Sequence, residues 1–356
     1  MGSRELHPEP AGQEVGAAAE PRARTPRGDA GRYHFRVSTP PAGARPPRRL
    51  ATIDLGSNTV RYLLVEVDAG QAWRIVDQDQ RVTRLGEGLA AAGALGEAPM
   101  ARTAGAVREY AERARRLGAV EVRVVATSAV REAINGRAFA ERLEPMTGLA
   151  VTIVSGEHEA RLTILGVLAG QPTLAGSLLV FDIGGGSTEF IRWSDGAIAA
   201  STSLRLGVVP LAERFPFEAP VAWDRYDALE QEIRHRLARE RSPALTAAGI
   251  GTLIGTAGTV TTVAALDLGL AVYDAARVQG HRLTRAAIAG QLRRLGALDL
   301  AGRAALPCLE PGRADLIVPG VAIVTATMDV FGAETLVVSD WGLREGIVTE
   351  LLEAGR

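Results

Sequence analysis

One short segment occurs twice in this chain, first as IDLGSNT at 53–59 and again as FDIGGGST at 181–188, with Asp54 and Asp182 lying 128 residues apart. That spacing is about one domain length. Each copy closes an apolar strand with an aspartate, turns through glycine and small hydroxyl residues, and resumes as an apolar strand. This is the pattern of a β-hairpin with a polar tip. Turn geometry alone accounts for Gly and Asn in a single hairpin, because both residues tolerate positive φ. Two copies with Asp before the turn and hydroxyls inside it point instead to paired anion nests, in which successive backbone N–H groups face a ligand. A carboxylate beside such a nest can hold a hydrated cation against phosphate oxygens.

The sequence around the copies predicts an α/β protein. Apolar runs of strand length fall at 50–55, 60–67, 73–76, 122–126, 150–154, 178–183 and 189–193, between helical stretches such as 99–117 and 157–169. Several runs are continuous, as in LLVFDI at 178–183, which predicts strands covered on both faces. A second series follows: strand-like 197–204, helical 224–240, strand-like 252–255, helical 258–267, 285–296 and 317–331, strand-like 335–338, and a last helix ending near Leu352.

The 356 residues suffice for two domains. Forty Arg plus Lys against 41 Asp plus Glu leave a net charge of -1, so no global field steers the chain to nucleic acid or an anionic membrane. Every basic side chain is arginine. With no lysine, Schiff-base chemistry and a P-loop lysine are excluded, and each cation offers a planar fork to phosphate or carboxylate. Cys308 is the lone cysteine, which excludes an intrachain disulfide and a thiolate zinc cluster and leads us to expect a reducing compartment, the cytoplasm. No stretch reads as transmembrane: 249–266 is uncharged but carries as much Gly and Thr as aliphatic residues, and 316–330 contains Pro319 and Asp329. Residues 1–49 hold eight of the 18 prolines with many Arg, Ala and Gly and almost no aliphatic periodicity. They read as a disordered tail, not as a secretory signal.

Two such hairpins facing each other across a cleft resemble the duplicated phosphate-binding domains of the actin, Hsp70 and sugar-kinase superfamily. Within it, the order of motifs resembles the exopolyphosphatase and guanosine pentaphosphate phosphohydrolase family. The matching segments are ATIDLGSNTVRYLLVEV at 51–67, VVATSAVREAIN at 124–135, VSGEHEARLTILGV at 154–167, LVFDIGGGSTEFI at 179–191, LRLGVV at 204–209, GTAGTVTTVAA at 255–265 and VSDWGLREGIV at 338–348. The resemblance implies two actin-like (ribonuclease H-like) α/β domains with mixed sheets flanked by helices and the active site in the interdomain cleft. Residues 50–157, joined by 337–356, would form the first domain and 158–336 the second. The chain ends ten residues after LREG, resembling the short two-domain form of the family and not members with an additional C-terminal helical domain.

Hydrolysing a terminal phosphoanhydride needs an anion cradle, a metal ion, and a group that orients or deprotonates water. The resemblance assigns the cradle to the amides and hydroxyls of Gly56, Ser57, Asn58 and Thr59 and of Gly184, Gly185, Gly186, Ser187 and Thr188, and the Mg²⁺ to Asp54 and Asp182. It places the general base at Glu159 in SGEHEARL, a second cleft carboxylate at Glu189, and a clamp on the terminal phosphate at Arg131. Near a helix N-terminus the dipole is expected to lower the Glu159 pKa, and bound polyphosphate to raise it again. The alternative for Arg131 is an ion pair within its own helix. His158 stands where the family often has an acid; no second His or Cys lies within helical reach, so a zinc site is not expected. GTAGTVTTVAA leaves two readings open, a nucleotide-base turn and a turn kept for close packing of helix on strand. Thr284 is expected to cap the helix that follows VQGHRLT.

The implied activity is Mg²⁺-dependent release of terminal orthophosphate from inorganic polyphosphate, with conversion of guanosine pentaphosphate to tetraphosphate as the alternative within the family. From other classes, an actin-like ATPase or sugar kinase would transfer phosphate to an acceptor, and an assembly protein would bind nucleotide only. Glu159 together with Arg131 argues for water as the acceptor. The expected partners are polyphosphate or guanosine pentaphosphate and a second copy of the chain as a homodimer, with no specific nucleic acid and no membrane.

Overall fold

A computed structural model describes residues 47–354 apart from 241 and 246–248. The expected tail therefore lies outside the described residues except at its end, where Arg48 and Arg49 already belong to the first strand. Arg48 pairs with Val67, and the Arg49 guanidinium bridges Glu66 and the Leu117 carbonyl.

The first half runs β1 (Arg48–Leu55), β2 (Thr59–Val67), β3 (Trp73–Val82), α1 (Leu89–Ala92), α2 (Glu97–Arg116), β4 (Ala119–Ala126), α3 (Ser128–Glu132), α4 (Gly136–Thr147), β5 (Val151–Ile153) and α5 (Gly156–Gly170). The second runs β6 (Leu178–Ile183), β7 (Thr188–Ser194), β8 (Ala197–Leu204), α6 (Val208–Arg214), α7 (Trp223–Glu240), β9 (Thr252–Thr256), α8 (Ala257–Asp267), α9 (Ala275–Val278), β10 (Arg282–Thr284), α10 (Arg285–Gly296), α11 (Leu300–Ala304), α12 (Ile317–Phe331), β11 (Thr335–Val338) and α13 (Leu343–Ala354). Thr284 caps α10 by accepting the Ala287 amide.

The strands form two mixed sheets, β3-β2-β1-β4-β5 and β10-β11-β9-β6-β7-β8. In each, an antiparallel meander of three strands continues into parallel strands, so β6, β7, β8 and β9 repeat β1, β2, β3 and β4. The duplicated fold that the resemblance implies is present in the two sheets. β1 and β6 are central in their sheets and covered by helices on both faces, which is why their sequences are continuously apolar. One face of β1 packs against α2 and α4, while the other meets α5 and α13 through Leu162, Ile347 and Val348. The C-terminal helix thus returns to the first sheet and lies along the helix that carries Glu159.

The sequence underestimates two features. β3 extends to Val82, six residues beyond the expected 73–76, because WRIVDQDQRV is a polar edge strand whose ladder partners all come from β2. Helices α3 and α6 are five and seven residues long, too short to show a 3.6-residue period.

Candidate active site

The two hairpins close with the same bond. The Gly56 amide donates to Thr59 O at 3.1 Å, and the Gly184 amide to Ser187 O at 2.9 Å. No tip residue has a positive φ, so the glycines are not there for turn conformation. They are there for room: a Cβ on Gly185 would sit 2.9 Å from Asn58 N and 2.9 Å from Ser57 Cβ. The hairpin tips meet backbone to backbone across the cleft, a separation that only glycine allows.

Each tip is tied down from behind by the loop that follows the third strand of its meander. The Thr83 and Arg84 amides donate to Asn58 O, both at 2.9 Å, and the Gly86 amide to Ser57 O at 2.7 Å. In the second sheet the Val208 and Val209 amides, in the LRLGVV segment, hold Gly184 O at 3.2 Å and Gly185 O at 2.9 Å. A planar trans peptide that points its carbonyl backwards points the next N–H forwards. Asn58 N accordingly faces Gly185.

Beside the tips stand the two aspartates. Asp54 lies opposite Arg61 in the β1–β2 ladder, and Asp182 lies opposite Glu189 in the β6–β7 ladder, so Arg61 and Glu189 are equivalent positions of the duplicated fold. Burial pushes the Asp54 carboxyl up to about 6 against the pull of Arg61, and it also raises Asp182. Asp54 Oδ1 is buried with no hydrogen-bond partner, and Asp182 accepts one bond, from the Thr163 hydroxyl at 3.2 Å. Two under-satisfied carboxylates next to the backbone amides of the tips suit a hard divalent cation that keeps some of its water. Among the described residues no cluster of three or more acidic, His or Cys side chains is placed to hold a metal. Any such ion would complete its shell with water and phosphate oxygens.

Glu159 enters from the first turn of α5, whose N-cap Ser155 accepts the His158 amide. The lowering expected from the helix dipole is not the net result. Burial, and next the neighbouring Glu189, drive it well above the usual carboxylate range, while Arg131 pulls it back. Glu189 accepts the hydroxyls of Ser187 and Ser203, both at 2.7 Å, yet burial and then Asp182 push it up to about 7. Three buried acids within Coulomb reach of one another cannot all stay ionised cheaply without a cation.

Asp54, Gly56, Ser57, Asn58, Thr59, Glu159, Asp182, Gly184, Gly185, Gly186, Ser187 and Glu189 line one cavity of about 80 Å³. Two expected residues do not. Thr188 turns its hydroxyl away to the Leu206 carbonyl. Arg131 stands behind Glu159, donating through Nη1 to Glu159 Oε2 at 2.7 Å and to Val154 O at 3.0 Å, so its partner lies on another helix and not within its own. His158 is engaged with Glu350 of α13 at 2.8 Å.

The cavity wall also contains Arg61 and Arg313, which sequence reading missed. Arg61 had a signal, since it occupies in the first copy the place of Glu189 in the second. Arg313 had none, because it comes from a loop distant in sequence. Its Nη2 donates to the Thr59 hydroxyl at 3.2 Å and to Gln80 Oε1 at 3.1 Å, joining the second half of the fold to the first hairpin. A Cβ on Gly258 would lie 1.9 Å from Arg313 Nη1. In the GTAGT turn, close packing is therefore what requires Gly258: it seats an arginine. Burial, then Arg61, lowers the Arg313 pKa to about 10, so it remains cationic at neutral pH. Beyond Arg313 a second compartment of about 320 Å³ shares Arg61, Asp182 and Arg313 with the first and adds Gln78, Tyr273 and Asp340.

Known proteins resemble this chain over most of its length. Residues 63–354 match the model of the Ppx/GppA phosphatase family. Exopolyphosphatase 2 of Mycobacterium tuberculosis is 33% identical over 318 residues, covering 85% of this chain and 98% of that protein. Guanosine-5'-triphosphate,3'-diphosphate pyrophosphatase of Photobacterium profundum is 30% identical over 309 residues, 86% of this chain and 60% of that protein. The crystal structure of the Aquifex aeolicus member of the Ppx/GppA family superimposes with a TM-score of 0.74 at 30% identity, over 87% of this chain and all of that one. With duplicated hairpins, cleft carboxylates and family match in agreement, the chain belongs to the Ppx/GppA phosphatase family.

Proposed function

We propose that the protein is an exopolyphosphatase, a phosphoanhydride hydrolase that releases terminal orthophosphate from inorganic polyphosphate. The observation that carries this reading is the convergence of both hairpin tips and the Glu159 carboxylate on one narrow cavity. The amides of the tips hold the terminal phosphate, and the guanidinium groups of Arg61 and Arg313 meet its oxygens and those of the next phosphate. Glu159, oriented by Arg131, accepts a proton from a water molecule. The water oxygen bonds to phosphorus as the bridging P–O bond breaks, and orthophosphate and a shortened chain leave. Arg131 acts through Glu159 in this scheme, fixing its rotamer and keeping the buried carboxyl ionisable. Mg²⁺ fits Asp54 and Asp182, with Glu189 beside them, and when bound it neutralises charge on the phosphate oxygens. The reaction takes place in the cytoplasm in this reading; the lone Cys308 supports a reducing compartment, and no helix among the described residues is long and apolar enough to cross a membrane.

Guanosine pentaphosphate 5'-phosphohydrolase is the second reading. It is favoured by the wider compartment beyond Arg313, where Gln78, Tyr273 and Asp340 offer polar groups to a nucleoside. The test is orthophosphate release from polyphosphates of several lengths, guanosine pentaphosphate and ATP, with Mg²⁺ and with chelator, and without any hydroxyl acceptor. Release from polyphosphate carries the first reading and faster release from guanosine pentaphosphate the second. Absence of release from any substrate sinks both.

A further inference from the structure

The loops behind the two hairpins do more than hold carbonyls. Arg84, in the loop after β3, binds the first hairpin through its backbone, donating its amide to Asn58 O at 2.9 Å. Its side chain reaches the other way, to the segment before α12 on the opposite lobe. There Nη1 and Nη2 form a two-pronged pair with Asp315, each at 2.8 Å, and Nη2 also meets Gly312 O at 3.2 Å. The residue adopts φ 51°, a left-handed conformation that a non-glycine residue keeps only when its surroundings hold it there. The segment it grips also carries Arg313. The second copy of the fold has a weaker counterpart: Arg205, in the loop after β8, pairs at 3.0 Å with Glu132 of the first half, but its side chain is 77% exposed against 36% for Arg84.

We propose that Arg84 is a positioning residue that couples closure of the cleft to the orientation of the first phosphate-binding hairpin. When the lobes are together, Asp315 holds the Arg84 side chain, the held residue keeps its left-handed backbone, and its amide keeps the Asn58 carbonyl turned back. When they part, the pair breaks and the loop relaxes, so the nest loses its shape. A lost latch lowers the fraction of molecules in the binding-competent form, and the apparent affinity falls by that fraction, while saturating substrate still closes the cleft.

The kinetic arm rests on the polyphosphatase reading; the exchange arm needs no substrate. Asp315→Asn, which leaves the Arg84 backbone untouched, should raise KM for polyphosphate about tenfold with kcat within about twofold of wild type. Amide hydrogen exchange in peptide 83–86 of the free protein should accelerate, with peptides of α10 unchanged. Arg84→Gln should behave alike, and the double variant should be no worse than either single one. Unchanged KM with unchanged exchange overturns the proposal. So does a raised KM without faster exchange, which would mean that Asp315 acts on substrate directly, and so does a fall in kcat and melting temperature at constant KM, the mark of a structural support. No hydrolysis by wild type counts against the polyphosphatase reading and leaves exchange to decide the latch.

Discussion

The Arg131 guanidinium and the Glu159 carboxylate are 2.7 Å apart, on two helices whose residues are 28 positions distant in sequence. That contact opposes the rise in the Glu159 pKa without overcoming it. It is the nearest compensation available to a carboxyl otherwise raised by burial and by Glu189. The first expectation concerns Glu159 itself. Glu159→Gln keeps the shape and a hydrogen bond but cannot accept the proton of water, so phosphate release should fall by about 10²–10⁴ while polyphosphate binding stays within a few-fold. A variant that keeps a tenth of wild-type turnover would remove Glu159 as the base.

Arg131 makes a signed prediction about pH. The arginine lowers the Glu159 pKa, so Arg131→Gln should raise it. The acid limb of the kcat/KM profile should then move to higher pH, and KM for polyphosphate at high pH should change little because Arg131 is not in the cavity wall. An acid limb that stays in place while KM rises steeply would make Arg131 a phosphate clamp after all.

The buried Asp54 carboxyl costs the metal-free fold stability when it is ionised. Asp54 sits at about 6 in the fold against its ordinary value of 3.8, so the fold prefers its neutral form. This preference is fully expressed below the unfolded-state pKa and is lost as pH rises through the folded value. In metal-free protein at pH 8 the ionised group therefore costs about 3 kcal/mol. Asp54→Asn should raise the melting temperature in chelator by several degrees at pH 8, with no gain near pH 4, and Mg²⁺ should stabilise it less than it stabilises wild type. Equal melting temperatures at pH 8 would show that the carboxylate is not desolvated in solution.

The contact between hairpins is testable at Gly185. A methyl group there would meet Asn58 N and Ser57 Cβ at 2.9 Å, so Gly185→Ala must push the tips apart. Activity should drop by more than about a hundredfold, the loss typical of removing aimed electrostatic donors, with circular dichroism unchanged. Near-normal kcat/KM would mean that the tips are not both in contact with the transferred phosphate.

The metal expectation is separable from the base. Asp182→Asn should shift the Mg²⁺ dependence of activity to higher concentration, since a charged oxygen is lost from a hard cation. A superimposable titration would move the ion to other ligands, with Glu189 the first to examine.

The resemblance implied the duplicated fold, while the α/β class, the two hairpins, Asp54, Asp182 and the helix start at Glu159 were legible along the chain. They rest on short-range rules: two-residue and 3.6-residue periods, turn chemistry, and a segment that repeats at domain spacing. Tertiary structure alone decided the rest. β3 continues past Val76 because β2 lends it a ladder, not because VDQDQRV has a strand's pattern. Thr188, next to four cradle residues in sequence, points out of the cradle, and Arg313, 254 residues from Thr59, points into it. The raised pKa values of Asp54, Glu159 and Glu189 depend on which groups burial brings within a few ångströms. Desolvation and Coulomb energies are functions of distance in space, and no local pattern of residues encodes them.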